Sequence, residues 1–400
     1  MKIYNLGSLN IDYVYSVEHF VTAGETLPSD VMEVFPGGKG LNQSIALARA
    51  GAKVIHGGLI GDGGDFLTEK MALSGVDTSR IKRTDGSNGH AIIQVNMDGQ
   101  NCILLHAGSN YKIDRKYIED FLADAEENDI LLLQNEISCL DEAFEIAGQR
   151  KMQIAFNPSP FKEDIKLLPL KSVKWFFCNE IEGEALFGSG DPETMKVNFL
   201  KMYPESVLIL TLGSRGSMYI SKEKSFFQPA LEVKAVDTTA AGDTFTGYFI
   251  SVVSRGGSAE CAMEIATKAA SVTVSRKGAS DSIPYYNDLS LMFALADWMN
   301  MKDSEDFRKQ KFEKECNPPP ISESLKKIRQ NSIDRQEIQK WVKRDIKIGE
   351  TISATPTIEE CRDFPYLSPL ISAFNAWSTR NYGSLSVWLK NVFSYESSDK

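Results

Sequence analysis

The sequence predicts an α/β fold built on a doubly wound, mostly parallel sheet, followed by a mainly helical C-terminal extension. Short apolar runs recur at residues 2–6, 54–56, 130–133, 154–157, 175–177 and 207–212. Spans with helical periodicity separate these runs, and this alternation is typical of parallel strands that are covered by helices on both faces. Residues 289–400 lack the alternation, and their patterning indicates helices.

Two segments interrupt this alternation and predict a second, smaller sheet. Apolar and polar side chains alternate over residues 14–35 and 90–106, as they do in strands with one exposed face. The second segment contains Asp98-Gly99, a pair that favours a hairpin turn.

Two polar residues, Asn10 and Asp12, follow the first predicted strand. Residues two apart lie on one side of an extended chain, so both could face the same ligand. Asp12 could then accept hydrogen bonds from two sugar hydroxyls. An Asx turn explains the same residues equally well.

A glycine cluster, Gly37-Gly38-Lys39-Gly40, ends an extended stretch and begins a helix with Asn42-Gln43 in its first turn. It is not a P-loop, because Glu33 stands where that motif needs glycine and Leu41 follows the last glycine. Glycines let a ligand approach the backbone, and amide side chains supply both donors and acceptors. The cluster therefore suits a polyhydroxylated ligand, although a purely structural turn would use the same residues.

A second helix start is predicted near Gly242, because a buried apolar stripe runs over residues 241–255 through Phe245, Tyr248, Phe249 and Val252. The unpaired N–H groups of a helix start favour phosphate oxygens. Asp243 in this first turn would be repelled by a phosphate, which suggests that it takes a proton from an attacking hydroxyl. Alternatively, Asp243 only stabilises the helix dipole.

Together these motifs resemble those of the ribokinase/PfkB carbohydrate kinase family over residues 1–288. The further motifs that carry the resemblance are His106-Ala107-Gly108-Ser109-Asn110, Asn157-Pro158-Ser159-Pro160, Asn179-Glu180, Thr211-Leu212-Gly213-Ser214-Arg215-Gly216 and Arg276-Lys277-Gly278-Ala279. The resemblance implies a ribokinase-like kinase domain over residues 1–288. In that fold the smaller sheet, from about 13–35 and 90–106, is a lid that covers the sugar.

The resemblance implies an enzyme that transfers the γ-phosphoryl group of ATP to the primary hydroxyl of a sugar, with Mg²⁺ bridging phosphate oxygens. D-ribose, which would give ribose 5-phosphate, is the first candidate. Asp243 would be the general base, and the N–H groups of Ala240, Ala241 and Gly242 would form an anion hole. The alternatives are a kinase for another sugar or a nucleoside of the same family, and a catalytically silent sugar-binding regulator.

Site residues are also implied by the resemblance. Those for the sugar are Asn10, Asp12, Gly38, Lys39, Asn42, Glu136 and Asp243. Those for the nucleotide are Asn179, Thr211, Gly213, Ser214, Arg215, Gly216, Gly242 and Thr267, the last at a position where the family often has His or Asn. A monovalent cation, usually K⁺, would be bound by Asp237, Thr239, Thr273, Arg276, Gly278 and Ser282.

Composition and charge predict a cytoplasmic enzyme. The net charge of −10 does not indicate a basic surface for binding nucleic acid, and no apolar run is long enough to span a membrane. Met1-Lys2 leads directly into the first strand without a signal peptide. The six cysteines lack the C-x-x-C spacing of a zinc site. Because dimerisation through the lid would cover its exposed strand edges, we also expect a homodimer.

The C-terminal extension, residues 289–400, lies outside the resemblance. It contains four of the five tryptophans, which is too aromatic a composition for a solvated disordered tail. Helices are predicted over about 289–315, 322–345, 367–377 and 385–393. The extension could pack on the kinase domain, or it could be a regulatory or partner-binding module. No constellation of acids, histidines or cysteines supports a second catalytic domain.

Overall fold

A computed structural model describes residues 1–287 and 289, and in this part of the chain strands and helices alternate. The strands are β1 (Ile3–Leu6), β2 (Asn10–Ser16), β3 (Val31–Gly37), β4 (Val54–Gly57), β5 (Leu59–Asp62), β6 (Lys82–Ser87), β7 (Gly89–Val95), β8 (Asn101–His106), β9 (Ile130–Gln134), β10 (Gln153–Asn157), β11 (Val173–Asn179), β12 (Val207–Thr211), β13 (Gly216–Ile220) and β14 (Ser225–Pro229). The helices are α1 (Lys39–Arg49), α2 (Asp65–Leu73), α3 (Arg115–Phe121), α4 (Leu140–Gln149), α5 (Glu180–Phe187), α6 (Pro192–Met202), α7 (Ala241–Ser254) and α8 (Ala259–Val274).

The main sheet has eight strands in the order β14-β13-β12-β11-β10-β9-β1-β4. Neighbouring strands from β12 to β4 are parallel, and β13 and β14 add an antiparallel hairpin at one edge. Each of the six apolar runs in the sequence forms one of the parallel strands. The predicted doubly wound, mostly parallel sheet is therefore confirmed.

Side chains on the two faces of this sheet differ in chemistry. On one face, Tyr4 and Leu6 of β1 belong to a large apolar core that also contains Phe121 of α3 and Phe144 of α4. On the opposite face, the Asn5 side chain donates to the carbonyl of Gly40, in α1. Successive residues of a strand point to opposite faces, so β1 contributes side chains both to the apolar core and to the contact with α1.

A smaller sheet, the lid sheet, has four strands in the order β3-β2-β7-β8. Its hairpin β7–β8 turns at Asp98-Gly99, where Gly99 N donates to Asn96 O at 2.9 Å. The predicted small sheet and its hairpin are thus confirmed. Because β2 begins at Asn10, Asn10 and Asp12 lie within a regular strand, and the alternative Asx turn is not formed.

Helix α7 begins at Ala241, as the apolar stripe predicts. No helix in residues 1–287 is long and apolar enough to cross a membrane. The predictions made for the C-terminal extension concern residues outside the described part of the chain, apart from residue 289.

Candidate active site

Asp243 lies in the first turn of α7 with only 8% of its surface exposed. Its Oδ2 accepts a hydrogen bond from Asn42 Nδ2 at 3.1 Å, and its Oδ1 accepts one from Gln43 Nε2 at 2.9 Å. Both donors belong to α1, directly after the glycine cluster. The two motifs that the sequence separates by about 200 residues therefore meet at one carboxylate.

The second polar atom of the Asn42 amide is left without a partner. Its Oδ1 is buried and accepts no hydrogen bond from the described residues. A buried acceptor without a donor costs about 1–3 kcal/mol, so a ligand hydroxyl beside Asp243 would remove that penalty. The role of Asn42 in sugar binding stays a prediction, and this open acceptor is compatible with it.

Two further carboxylates, Asp12 and Glu136, lie close enough to influence one another. Burial raises the pKa of Asp12 to about 7, and the charge of Glu136 contributes to that rise. Burial also raises the pKa of Glu136, although its hydrogen bonds from Ser8 Oγ and from Lys39 N (3.0 Å) act in the opposite direction. A ligand with several hydroxyls could donate to both acids, as the sequence predicts.

Gly37 gives the Asp12 carboxylate its space. A Cβ built on Gly37, which pairs with Asn10 across the two strands, would lie 2.0 Å from Asp12 Oδ2, so no other residue fits at position 37. Next to it, Gly38 has φ +94°, the left-handed region that favours glycine, and a Cβ there would lie 3.0 Å from the carbonyl of Ser8. The glycines are thus needed both for conformation and for close approach.

Lys39 provides the positive charge of the site. Burial lowers its pKa, but the charges of Asp243, Glu136 and Glu182 outweigh that effect and hold the pKa above its usual value. Lys39 therefore stays protonated among three acids, in a position to contact an anionic group. Glu182, a buried residue of α5, was not predicted, because nothing in the local sequence distinguishes it from a surface acid.

Asn10 is oriented by a residue from outside its own strand. Asn110 donates from Nδ2 to Asn10 Oδ1 at 2.7 Å, and its own Oδ1 accepts from Leu9 N at 2.9 Å. The Asn10 amide therefore keeps its Nδ2 donor for another partner. Asn110 belongs to the motif at 106–110, but no role was predicted for its side chain.

The start of α7 presents unpaired backbone donors. Among the described residues, the N–H groups of Ala240, Gly242 and Asp243 have no acceptor, whereas Ala241 N donates to Thr238 O at 3.3 Å. Ala240 has φ +61°, a left-handed conformation at the helix N-cap. A Cβ on Gly242 would meet nothing within 4 Å, so this turn faces open space. The arrangement suits the predicted anion hole.

The predicted nucleotide residues fall at the carboxyl ends of neighbouring strands. Asn179 ends β11 and pairs in register with Thr211, which ends β12. The Asn179 side chain also caps α5 by accepting from Glu182 N at 2.9 Å, with the reciprocal bond of a capping box. In open α/β sheets ligands bind beyond such strand ends.

The loop between β12 and β13 carries the remaining nucleotide residues. Gly213 and Gly216 have φ of +59° and +128°, and Arg215 forms an ion pair with Glu180. Thr267 lies in α8, where its buried Oγ1 has no partner in the described residues. No hydrogen bond joins Ser214 or Thr267 to the other nucleotide residues within this part of the chain.

The residues predicted for a monovalent cation form two connected groups. The Asp237 carboxylate accepts from Thr239 N at 2.9 Å and from Gly278 N at 3.0 Å. Although burial raises the pKa of Asp237, these bonds hold it below its usual value, so the oxygens stay anionic. A second group is held by Arg276, which donates from its backbone N to Thr273 O and from its side chain to Ser282 O. The anionic Asp237 carboxylate is of a type that can hold a hard cation, and no hydrogen bond among the described residues joins it to the second group.

Comparison with known proteins identifies relatives of the whole described region. The family model described as "pfkB family carbohydrate kinase" matches residues 2–285. A ribokinase of Staphylococcus aureus is 36% identical over 307 residues, which cover 72% of this chain and 98% of that protein.

Two solved structures are similar in fold and sequence. The ribokinase of Thermotoga maritima has a TM-score of 0.65 and 34% identity, covering 74% of this chain and 99% of that one. The ribokinase of Cryptococcus neoformans in complex with ADP has a TM-score of 0.64 and 31% identity, covering 72% and 99%.

Proposed function

The chain belongs to the pfkB family of carbohydrate kinases, and we propose that it phosphorylates D-ribose with ATP to give ribose 5-phosphate and ADP. The observation that carries this proposal is the buried Asp243 carboxylate, which Asn42 and Gln43 hold beside unpaired N–H groups at the start of α7. A base next to an anion site is the arrangement that phosphoryl transfer to a hydroxyl requires.

In the proposed reaction Asp243 takes the proton of the primary hydroxyl as its oxygen attacks the γ-phosphorus of ATP. The bond from that phosphorus to the bridging oxygen breaks, and ADP leaves. The unpaired backbone N–H groups of Ala240 and Gly242 would face the charge on the transferred group, and the Lys39 ammonium would add a positive charge nearby. Such a site acts by positioning and electrostatics.

Sugar recognition would use polar groups of the site that can accept further hydrogen bonds. Asn42 Oδ1 accepts from one hydroxyl, and the Asp12 and Glu136 carboxylates accept from others. The lid sheet supplies Asn10 and Asp12, so its movement would couple sugar binding to exclusion of water.

Two metal ions belong to the proposed chemistry. Mg²⁺ would enter with ATP and would partly neutralise the negative charge of its phosphates. K⁺ would bind to oxygens of Asp237, Thr239, Thr273, Arg276, Gly278 and Ser282 and would fix the loop that precedes α7.

We further propose a cytoplasmic homodimer that pairs through the lid sheet. Three exposed apolar residues of β3 and three of β8 support this assembly, namely Val31, Met32, Val34, Ile103, Leu104 and Leu105. Large apolar groups on the strands of a small sheet favour pairing with another chain. Residues 1–288 would form the kinase domain, and residues 289–400 would form a helical C-terminal extension.

The experiment that tests this function measures ADP release by the full-length protein with ribose, deoxyribose, fructose or inosine, in K⁺ and in Na⁺. We expect a ribose-dependent rate that K⁺ increases. A higher kcat/KM for another acceptor would change the assigned substrate, and no turnover with any of them would favour a sugar-binding regulator.

A further inference from the structure

A row of buried amide side chains continues behind Asp243, away from its Asn42 partner. Gln43 donates from Nε2 to Asp243 Oδ1, and its Oε1 accepts from Gln134 Nε2 at 2.7 Å. Gln134 Nε2 also donates to Asn5 Oδ1 at 2.9 Å. Residues from β1, β9, α1 and α7 thus form one connected network, in which each side chain is at least nine-tenths buried.

The direction of every amide in this network is fixed by its neighbours. Asn5 Nδ2 donates to Gly40 O at 2.8 Å and to Ser44 Oγ at 2.7 Å, which leaves Asn5 Oδ1 facing Gln134. Gln134 must therefore present its Nε2, and Gln43 must accept with Oε1. A reversed Gln43 amide would place its oxygen against the Asp243 carboxylate and its nitrogen against Gln134 Nε2.

The remaining hydrogen of the Gln43 amide is also used. Gln43 Nε2 lies 3.3 Å from Asn157 Oδ1, and Asn157 is itself oriented because its Nδ2 donates to Phe177 O at 2.7 Å. Each polar atom of Gln43 therefore has a partner, so the side chain has little freedom to move. Among these partners only Asp243 is charged.

We propose that Gln43 is a positioning residue that fixes the orientation of the catalytic carboxylate, an inference that rests on the proposed function. Gln43 holds Oδ1 and thereby directs Oδ2, which accepts from Asn42 Nδ2, toward the hydroxyl whose proton it takes. Oδ2 lies on the Asn42 side, where the unpartnered Asn42 Oδ1 marks the position of a ligand hydroxyl. The network thereby connects the main sheet to the reacting atom.

The Gln43→Met variant tests this role, because it keeps the length of the side chain and removes its donor. We expect kcat to fall about 10- to 100-fold, since small displacements of a reacting group cost that much, while KM for ribose and ATP changes less than about threefold. The same substitution in the Asp243→Asn background should change the residual rate less than about twofold, because Gln43 acts only through the base.

Ser251→Ala is the matched control. Ser251 Oγ donates to Ala50 O at 3.0 Å and accepts from Arg255 Nη1 at 2.6 Å, so the substitution removes two hydrogen bonds near the far ends of the same two helices. We expect it to lower the unfolding midpoint while kcat stays within about twofold. If Gln43→Met is insoluble, Gln134→Met removes the donor that orients Gln43 and should lower kcat in the same direction without changing KM.

The outcomes are distinguishable. A wild-type protein without sugar-dependent turnover would refute the proposed function itself. An active wild type together with a folded Gln43→Met variant of unchanged kcat would overturn only the positioning role. A loss that is equally large in the Asp243→Asn background would overturn it too, because Gln43 would then act through some other group.

Discussion

Gly247 of α7 lies directly against Ala46 of α1. A Cβ built on Gly247 would be 2.5 Å from the Ala46 Cβ and 2.8 Å from Leu47 N. One helical turn earlier on the same two helices, Asp243 meets Asn42 and Gln43. The close packing of α1 against α7 at Gly247 therefore sets the distance between the two helices at Asp243.

Gly247→Ala is expected to lower both stability and activity. Because the added methyl group would overlap backbone atoms of α1, we expect a loss of about 1–3 kcal/mol in the free energy of unfolding. The displaced helices would also move Asp243, so kcat should fall at least about tenfold. Urea denaturation and ribose-dependent ADP release measure the two effects.

Gly148→Ala provides the control for that substitution. Gly148 is an exposed residue of α4, and a methyl group added to it would meet no atom within 4 Å. Alanine favours a helix over glycine, so this variant should gain about 0.5–1 kcal/mol with unchanged kcat. Equal behaviour of the two variants would show that the contact at Ala46 is unimportant.

Gly242→Ala separates function from folding at the start of α7. Its Cβ would meet no atom of the protein within 4 Å, so the unfolding free energy should not decrease. The methyl group would instead occupy the space proposed for the transferred phosphate, and kcat/KM for ATP should fall about 100-fold or more. A fully active Gly242→Ala variant would place the phosphate elsewhere.

The fold was largely predictable because its signals are local. All six apolar runs form parallel strands of the main sheet, and the stripe at 245–252 correctly placed the start of α7. The edge hairpin β13–β14 was not predicted, since half-exposed strands such as β14 lack a continuous apolar run.

The individual site residues stay predictions from family motifs, and the contacts that support them were not predictable. Gln43 and Gln134 lie 91 residues apart, and Ser8 and Glu136 lie 128 apart. The apolar run at 130–133 predicts the buried strand that Gln134 ends, but nothing in the local sequence indicates that the Gln134 side chain joins a hydrogen-bonded network. Such contacts depend on which strands are neighbours in the sheet, and the local sequence does not show which strands these are.

The stability of the sugar-free protein should depend on pH through Asp12. Its pKa rises from 3.8 to about 7 on folding because burial favours the neutral form. The folded state therefore binds the proton more tightly, and the stabilisation is full below about pH 4 and is lost as the pH rises through about 7. From pH 5 to pH 8 the unfolding free energy should fall by up to about 3 kcal/mol from this group.

Asp12→Asn tests that assignment, since an amide does not titrate. Urea denaturation at pH 5 and pH 8 should give a smaller difference for this variant than for the wild type. The same variant should raise KM for ribose, because one acceptor of sugar hydroxyls is lost. An identical pH dependence in both proteins would exclude Asp12 as the titrating group.

The proposed dimer can be disrupted from the lid sheet. Leu104 of β8 is 68% exposed, and a glutamate there would bury a charge in the proposed interface. We expect Leu104→Glu to give a monomeric mass in light scattering where the wild type gives twice that mass. Leu73→Glu, at an exposed position on α2, is the control and should leave the dimer intact. A wild-type protein of monomeric mass at micromolar concentration would contradict the proposed dimer.

Asp243→Asn tests the central claim most directly. Asparagine keeps the shape of the side chain but cannot take a proton, so ribose-dependent ADP release should fall by several orders of magnitude. Calorimetry should still detect ribose binding, with an affinity within about tenfold of that of the wild type. An Asp243→Asn protein that retains a rate close to that of the wild type would contradict the assignment of Asp243 as the base.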